Sequence, residues 1–140
     1  MAVIVVWDDE AQSVLRLSLA GYWTWEELYN AGLSLHAMCI ESPHRVDILS
    51  DSMHMNYRPP RTGEAAALMA APLQEPANVN MVVFVVNEFT QCLLSEQIKA
   101  LPQLVSHAFA YSLDEARELI ARSRQGENIP VFFPHDRQLN

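Results

Sequence analysis

Trp23-Thr24-Trp25-Glu26-Glu27-Leu28 is the stretch that decides how this chain reads. The Thr24 hydroxyl can accept a hydrogen bond from the amide of Glu27, and Glu27 can reach back to the amide of Thr24. Trp23 and Leu28 stand at the two positions of a hydrophobic staple. A helix therefore starts at Trp25. Leu28, Ala31, Leu35 and Cys39 follow at helical spacing, and Ser42-Pro43 ends the helix. Gly32 costs roughly 1 kcal/mol of helix propensity relative to Ala; a close approach to a sheet would account for it.

Upstream, residues 3–7 form a short apolar, β-branched run, residues 8–12 suit a turn, and residues 13–19 alternate with a period of two. Together they predict a β-hairpin. Downstream, residues 45–50 predict a buried strand, and an alanine-rich helix follows a loop. Residues 81–86 are uninterrupted Met, Val and Phe, as in a central strand covered on both faces. Residues 89–101 read as a helix with Leu94, Ile98 and Leu101 on one side, and residues 107–111 as a short strand. Ser112-Leu113-Asp114-Glu115 is a second capping box. It opens a helix that buries Leu113, Ala116, Leu119 and Ile120, pairs Glu118 with Arg122, and ends at Gly126.

The order is β-β-α-β-α-β-α-β-α. Right-handed crossovers make strands two to five parallel, with the first antiparallel. The expected fold is α/β, a single domain with a mixed sheet, an opening hairpin and helices covering the sheet. Residues 1–126 form the domain. Residues 127–140 form a tail whose apolar segment, Ile129 to Pro134, docks on the domain or on a second subunit, so a homodimer is open.

A chain of 140 residues, 50% hydrophobic and 19% charged, suits one globular domain. Its formal charge of −8 repels nucleic acid and anionic membranes, so no nucleic-acid partner is expected. No apolar run reaches the ~18–20 residues of a membrane span. The N-terminus lacks a basic flank and meets Asp8-Asp9-Glu10 at once, unlike a signal peptide. Cys39 and Cys92 match no zinc or redox spacing, and a cytoplasmic location with reduced thiols is expected.

The order and local cues resemble the STAS superfamily, most closely its SpoIIAA-like branch. The resemblance rests on the opening hairpin, the helix start at Gly21-Tyr22-Trp23-Thr24-Trp25-Glu26-Glu27-Leu28, the strand ending at Asp51, and Ser112-Leu113-Asp114-Glu115-Ala116. It covers about residues 3–124 and implies a regulatory or protein-interaction module. Sporulation-type members are similar to each other in an Asp-Ser-Ser-Gly-like phosphorylation site. Pro59-Pro60-Arg61-Thr62-Gly63 stands in its place here, so that switch does not carry over. The branch is also likened to CRAL-TRIO lipid-transfer domains, which keeps an apolar ligand open, with Trp7, Tyr22, Trp23 and Trp25 as lining or as core.

The loop from Asp51 to Gly63 is the candidate site, because loops leaving the carboxyl ends of parallel strands usually carry α/β chemistry. Arg58 and Arg61 flank a Pro-Pro pair ahead of a helix N-terminus, where guanidinium groups and backbone amides suit an anion. Thr62 and Gly63 supply the amides, and Tyr57 forms a wall. Solvated arginines pairing with Glu64 or Asp51 are the plainer reading, and Thr62 is first of all an N-cap. Met53-His54-Met55 offers soft ligands, but alternation turns both Met side chains away from His54. The other histidines are scattered, so no metal is expected. Asp47 and Asp51 share a strand face, yet lack a His, Ser or Cys partner. A solvated carboxylate or a loop cap describes them better. No catalytic residue and no cofactor is assigned. The expected function is a non-enzymatic module that binds a protein partner or a small anionic or apolar ligand. The alternatives are a lipid- or small-anion-binding domain and, more remotely, a small hydrolase or transferase.

Overall fold

In this computed structural model the described residues are 2–60, 62–63, 77–92, 106–127 and 129. Five strands form one sheet in the order β1-β2-β3-β4-β5: β1 (Val3–Trp7), β2 (Val14–Leu19), β3 (Val46–Asp51), β4 (Val79–Val85) and β5 (Ser106–Ala110). β1 is antiparallel to β2, and the other pairs are parallel. The sheet is mixed and the fold is α/β. Helices α1 (Trp25–Glu41) and α2 (Leu113–Arg124) lie on opposite faces. Residues 88–92 are helical after β4, and Gly63 is helical before β4. Most of the two helices expected there, and most of the tail, fall outside the described residues. Ile129 lies against the α2-side core.

The sequence periods explain the layers. Leu15, Leu17 and Leu19 turn toward α1 with Val3, Val5, Val46, Ile48 and Val82. Val14, Leu49, Met81, Val83 and Val85 turn toward α2, beside Ala108, Ala110, Ala116 and Ile120. β3 and β4 are thus apolar on both faces, as parallel central strands must be.

The N-cap half of each capping box forms, while the glutamates bond elsewhere than the cap amide: Glu27 accepts from the Thr24 hydroxyl at 3.2 Å, and Glu115 from the Tyr111 amide at 3.3 Å. The Thr24 hydroxyl accepts from the Glu27 amide at 3.1 Å, and Trp23 and Leu28 join the same core cluster. The Ser112 hydroxyl accepts from the Glu115 amide at 3.0 Å. Gly126, at φ +84°, closes α2 with bonds from Glu127 N to Arg122 O and from Gly126 N to Ser123 O, a Schellman turn. That turn swings Glu127 back onto Arg122, which donates to it at 2.6 and 2.9 Å. The expected Glu118–Arg122 pair is replaced, because the C-terminal turn offers Arg122 a bidentate carboxylate.

Two other arginines of α2 reach the sheet. Arg117 grips Asp8 with two bonds of 2.9 Å, and Arg16 adds a third of 3.0 Å from β2. Two turns on, Arg124 donates to Asp47 at 2.8 Å and to the carbonyl and hydroxyl of Ser13 at 3.1 Å. Asp9 caps the hairpin loop, accepting from the amides of Ser13 and Val14. Gln12 adopts a left-handed conformation there, at φ 54°.

Thr24→Ala should destabilise the fold by about 1 kcal/mol; a thermal melt unchanged by the substitution contradicts the capping role. A second expectation concerns acid. Hydrogen bonding from Arg117 holds the Asp8 carboxyl below its usual range. Burial opposes this, and the charges of Arg117 and Arg16 reinforce it. Such a group stabilises the fold fully above the unfolded carboxyl pKa of about 3.9 and ceases to as pH falls through the lower folded value. Asp8→Asn should therefore lower the melting temperature at neutral pH and flatten its decline below about pH 4. Melts over that range check this, and an unaltered acid limb contradicts it.

Candidate functional site

β3 and β4 end side by side, and the loop that leaves β3 is fastened from two directions. Its first residue, Ser52, extends the pairing: both its amide and its hydroxyl donate to Val85 O at 2.9 Å. Asp51 caps the turn by accepting from the Met53 amide at 3.1 Å. Asn87, just past β4, donates to the carbonyls of Met53 and Met55 at 2.7 and 3.0 Å. Its side-chain oxygen accepts from the Thr90 amide, and the Thr90 hydroxyl accepts from the Asn87 amide, both at 2.9 Å. One asparagine thus caps the helical turn at 88–92 and holds the loop.

From the other side, two tryptophans bind the loop by its backbone. Trp23 Nε1 donates to Tyr57 O at 2.8 Å, and Trp25 Nε1 to Pro60 O at 3.1 Å. The carbonyls on either side of Arg58-Pro59 are therefore fixed to the start of α1. Proline lacks an amide to donate and has a locked φ, so Pro59-Pro60 cannot pair as a strand and reaches the domain through these carbonyls and the buried Pro59 ring. The two indole rings meet edge to face at 5.0 Å.

An exposed platform results. Tyr22, 84% exposed, stands edge-on to Tyr57 at 5.0 Å between centroids. The Arg58 guanidinium lies 5.9 Å from the centre of the Trp25 ring, within reach of a cation–π interaction. Tyr57 and Arg58 thus share one surface with Tyr22, Trp25 and Pro60. Thr62 and Gly63 follow, exposed. Arg61 lies outside the described residues; of the expected pair of guanidiniums the structure describes Arg58, over the Trp25 ring.

The remaining candidates separate. Met53 joins the core on the α2 side and Met55 the core on the α1 side, while His54 is exposed. Met53-His54-Met55 therefore does not converge on a metal, and among the described residues no cluster of three His, Cys, Asp or Glu side chains forms. The His107 ring packs edge-on to Phe84 and Phe109. Asp51 is a loop cap, as the sequence suggests. Asp47 is not solvated: it is 2% exposed, and Asn80 donates to it at 3.0 Å beside Arg124. A cleft of about 580 Å³ opens at that far end of the sheet, lined by Ser13, His44, Arg45, Asp47, Asn80 and Arg124. The guanidinium of Arg124 at its wall is engaged by Asp47 and Ser13, so the arrangement ties α2 to the hairpin.

Sequence reasoning missed Asn87 and the two indole–carbonyl bonds. Asn87-Glu88-Phe89-Thr90 does carry a local signal, a capping asparagine followed three residues later by a hydroxyl. The tryptophan contacts span more than thirty positions and leave no local pattern. No family model, no curated protein and no solved structure matches the chain. No helix among the described residues is long and apolar enough to cross a membrane.

Asn87→Ala removes the donor to two carbonyls and the acceptor for the Thr90 amide. It should cost on the order of 2 kcal/mol. Asn87→Asp keeps the acceptor but sets a carboxylate against the Met53 and Met55 carbonyls, and should also destabilise. Denaturant titrations check both; an Asp variant as stable as the parent contradicts the loop-holding role.

Proposed function

We propose that this protein is a non-enzymatic interaction module of the STAS, SpoIIAA-like kind, and that it meets a protein partner through Tyr22, Trp25, Tyr57 and Arg58. The strand order, with an antiparallel opening hairpin and parallel strands after it, supports the kinship. The observation that carries the contact surface is the exposed Tyr22 ring against Tyr57, whose chain neighbour Arg58 lies over the Trp25 ring. Tyr, Trp and Arg are the residues that dominate binding energy at protein interfaces. A ring 84% exposed is costly to hydrate and gains by being covered. The backing is rigid, since the indole–carbonyl bonds and Asn87 fix the loop before any partner arrives. A preordered surface loses little entropy on binding. Buried hydroxyls near the site have structural duties: Ser52 bonds Val85 O, and Thr90 bonds Asn87.

A photo-crosslinking residue at position 22 should capture a discrete partner in a lysate of the source organism, and one at Ile40, exposed elsewhere on α1, should not. Arg58→Ala should weaken that capture by roughly 30-fold, the equivalent of about 2 kcal/mol for a central contact. Equal adducts at positions 22 and 40, or capture indifferent to Arg58, overturn the assignment.

A further inference from the structure

β1 is one edge of the sheet, and its hydrogen-bonding phase can be read from its ends. Asp8 N donates to Val14 O, and Ala20 N donates to Ala2 O. The register pairs Ile4 with Ser18 and Val6 with Arg16 between them. In an antiparallel pair, alternate residues exchange both bonds with the neighbour. Ala2, Ile4, Val6 and Asp8 are those residues here. Val3, Val5 and Trp7 therefore turn their N–H and C=O groups outward, and among the described residues none of these groups has a recorded partner.

Sheet edges are usually guarded by a lysine, a proline, a bulge or an inward charge. Val3-Ile4-Val5-Val6-Trp7 has no charge and no proline, and its pairing with β2 runs without a register shift. α1 packs on one face of β1 and buries Val3, and the other face is less covered. On the α1 side a groove of about 380 Å³ runs between the strand and Glu27, Asn30, Ala31 and Ser34. On the other side α2 packs on β3, β4 and β5, and Ile4 is 42% exposed.

We infer that β1 pairs antiparallel with β1 of a second copy, about a twofold axis through Val5. This register sets Val5 against Val5, Val3 against Trp7, and Ile4 against Val6. Outward groups then meet outward groups, and three residue pairs exchange two bonds each. Every facing pair is apolar. On the face that α2 leaves open, Ile4 and Val6 of one copy close against Val6 and Ile4 of the other. Charge also favours this occupant. The formal charge of −8 opposes self-association in general, but the strand itself sets no like charges opposite each other, and Glu27 on the α1 rim of the groove is the carboxylate beside it. The nearest carboxylate along the strand, Asp8, is neutralised within its own chain by Arg16 and Arg117. The pairing is isologous, the form most soluble dimers take. It joins two five-stranded sheets and points the two Tyr22–Arg58 platforms in opposite directions, because antiparallel strands reverse the ends of the sheet. The protein would then bind two partners at once.

Analytical ultracentrifugation of the full chain at micromolar concentrations should show a reversible dimer. Ile4→Lys, the edge device this strand lacks, should raise the dimer dissociation constant at least tenfold. Val5→Pro removes an outward N–H and no bond to β2, and should do the same. Circular dichroism should confirm that both variants stay folded. Register is read separately. Val5→Cys with Cys92→Ser should form a dimer disulfide on mild oxidation, since hydrogen-bonded partners lie ~5.5 Å apart at Cα, within disulfide range. A parent that stays monomeric, a dimer indifferent to Ile4→Lys, or a Val5→Cys chain that does not cross-link overturns the inference.

Discussion

Strands β3 and β4 carry buried side chains on both faces, from Val46, Ile48 and Leu49 to Met81, Val82, Val83 and Val85. Much else in the molecule follows from that constraint. A strand with no wet face cannot sit at an edge or lie open on one side, so it needs paired neighbours and a helix above and below. The hairpin supplies β2 as one neighbour, and β5 supplies the other. α1 covers one side from the hairpin end, and α2 covers the other from the β4–β5 end. Each helix therefore protects a different half of the sheet. Beyond the body of α2 Ile4 stays exposed, and Arg117 extends from α2 to meet Asp8 beside Arg16.

The same constraint concentrates polar groups at the two ends of the central strands. At the amino end of β3, Asp47 is buried and held by Asn80 and Arg124. Removing either partner leaves a carboxylate without water or full pairing, which is far costlier than the pair is stabilising. At the carboxyl end, Asp51, Ser52, Thr90 and Gln91 are buried together. Asp51 and Thr90 bond within their own turns, Ser52 bonds across to Val85 O, and Asn87 joins the two loops through Met53 O. The loop this fixes carries the aromatic platform, so the rigidity of the proposed contact surface is a by-product of closing the core.

The sequence by itself determined the local elements, because their causes are local. Thr24–Glu27, Ser112–Glu115 and Gly126 set helix ends through atoms three or four residues apart. The period of two in residues 14–19 and the unbroken run at 81–86 told one-sided from two-sided strands, and with right-handed crossovers they implied the mixed sheet. For Asp51 the sequence left a solvated carboxylate and a loop cap open, and its burial against the amide two residues away makes it the cap. The tertiary structure decided what distant residues do to each other. Arg124 finds Asp47 across 77 positions, Arg117 finds Asp8 across 109, and Trp25 finds Pro60 across 35. A charged or indole group has many partners within reach of composition, and only the layering of α2 and α1 on the sheet selects one. The choice of Glu127 over Glu118 for Arg122 has the same origin. Spacing made both helical charges look paired, and the backbone turn at Gly126 brought a better-oriented carboxylate to the same guanidinium.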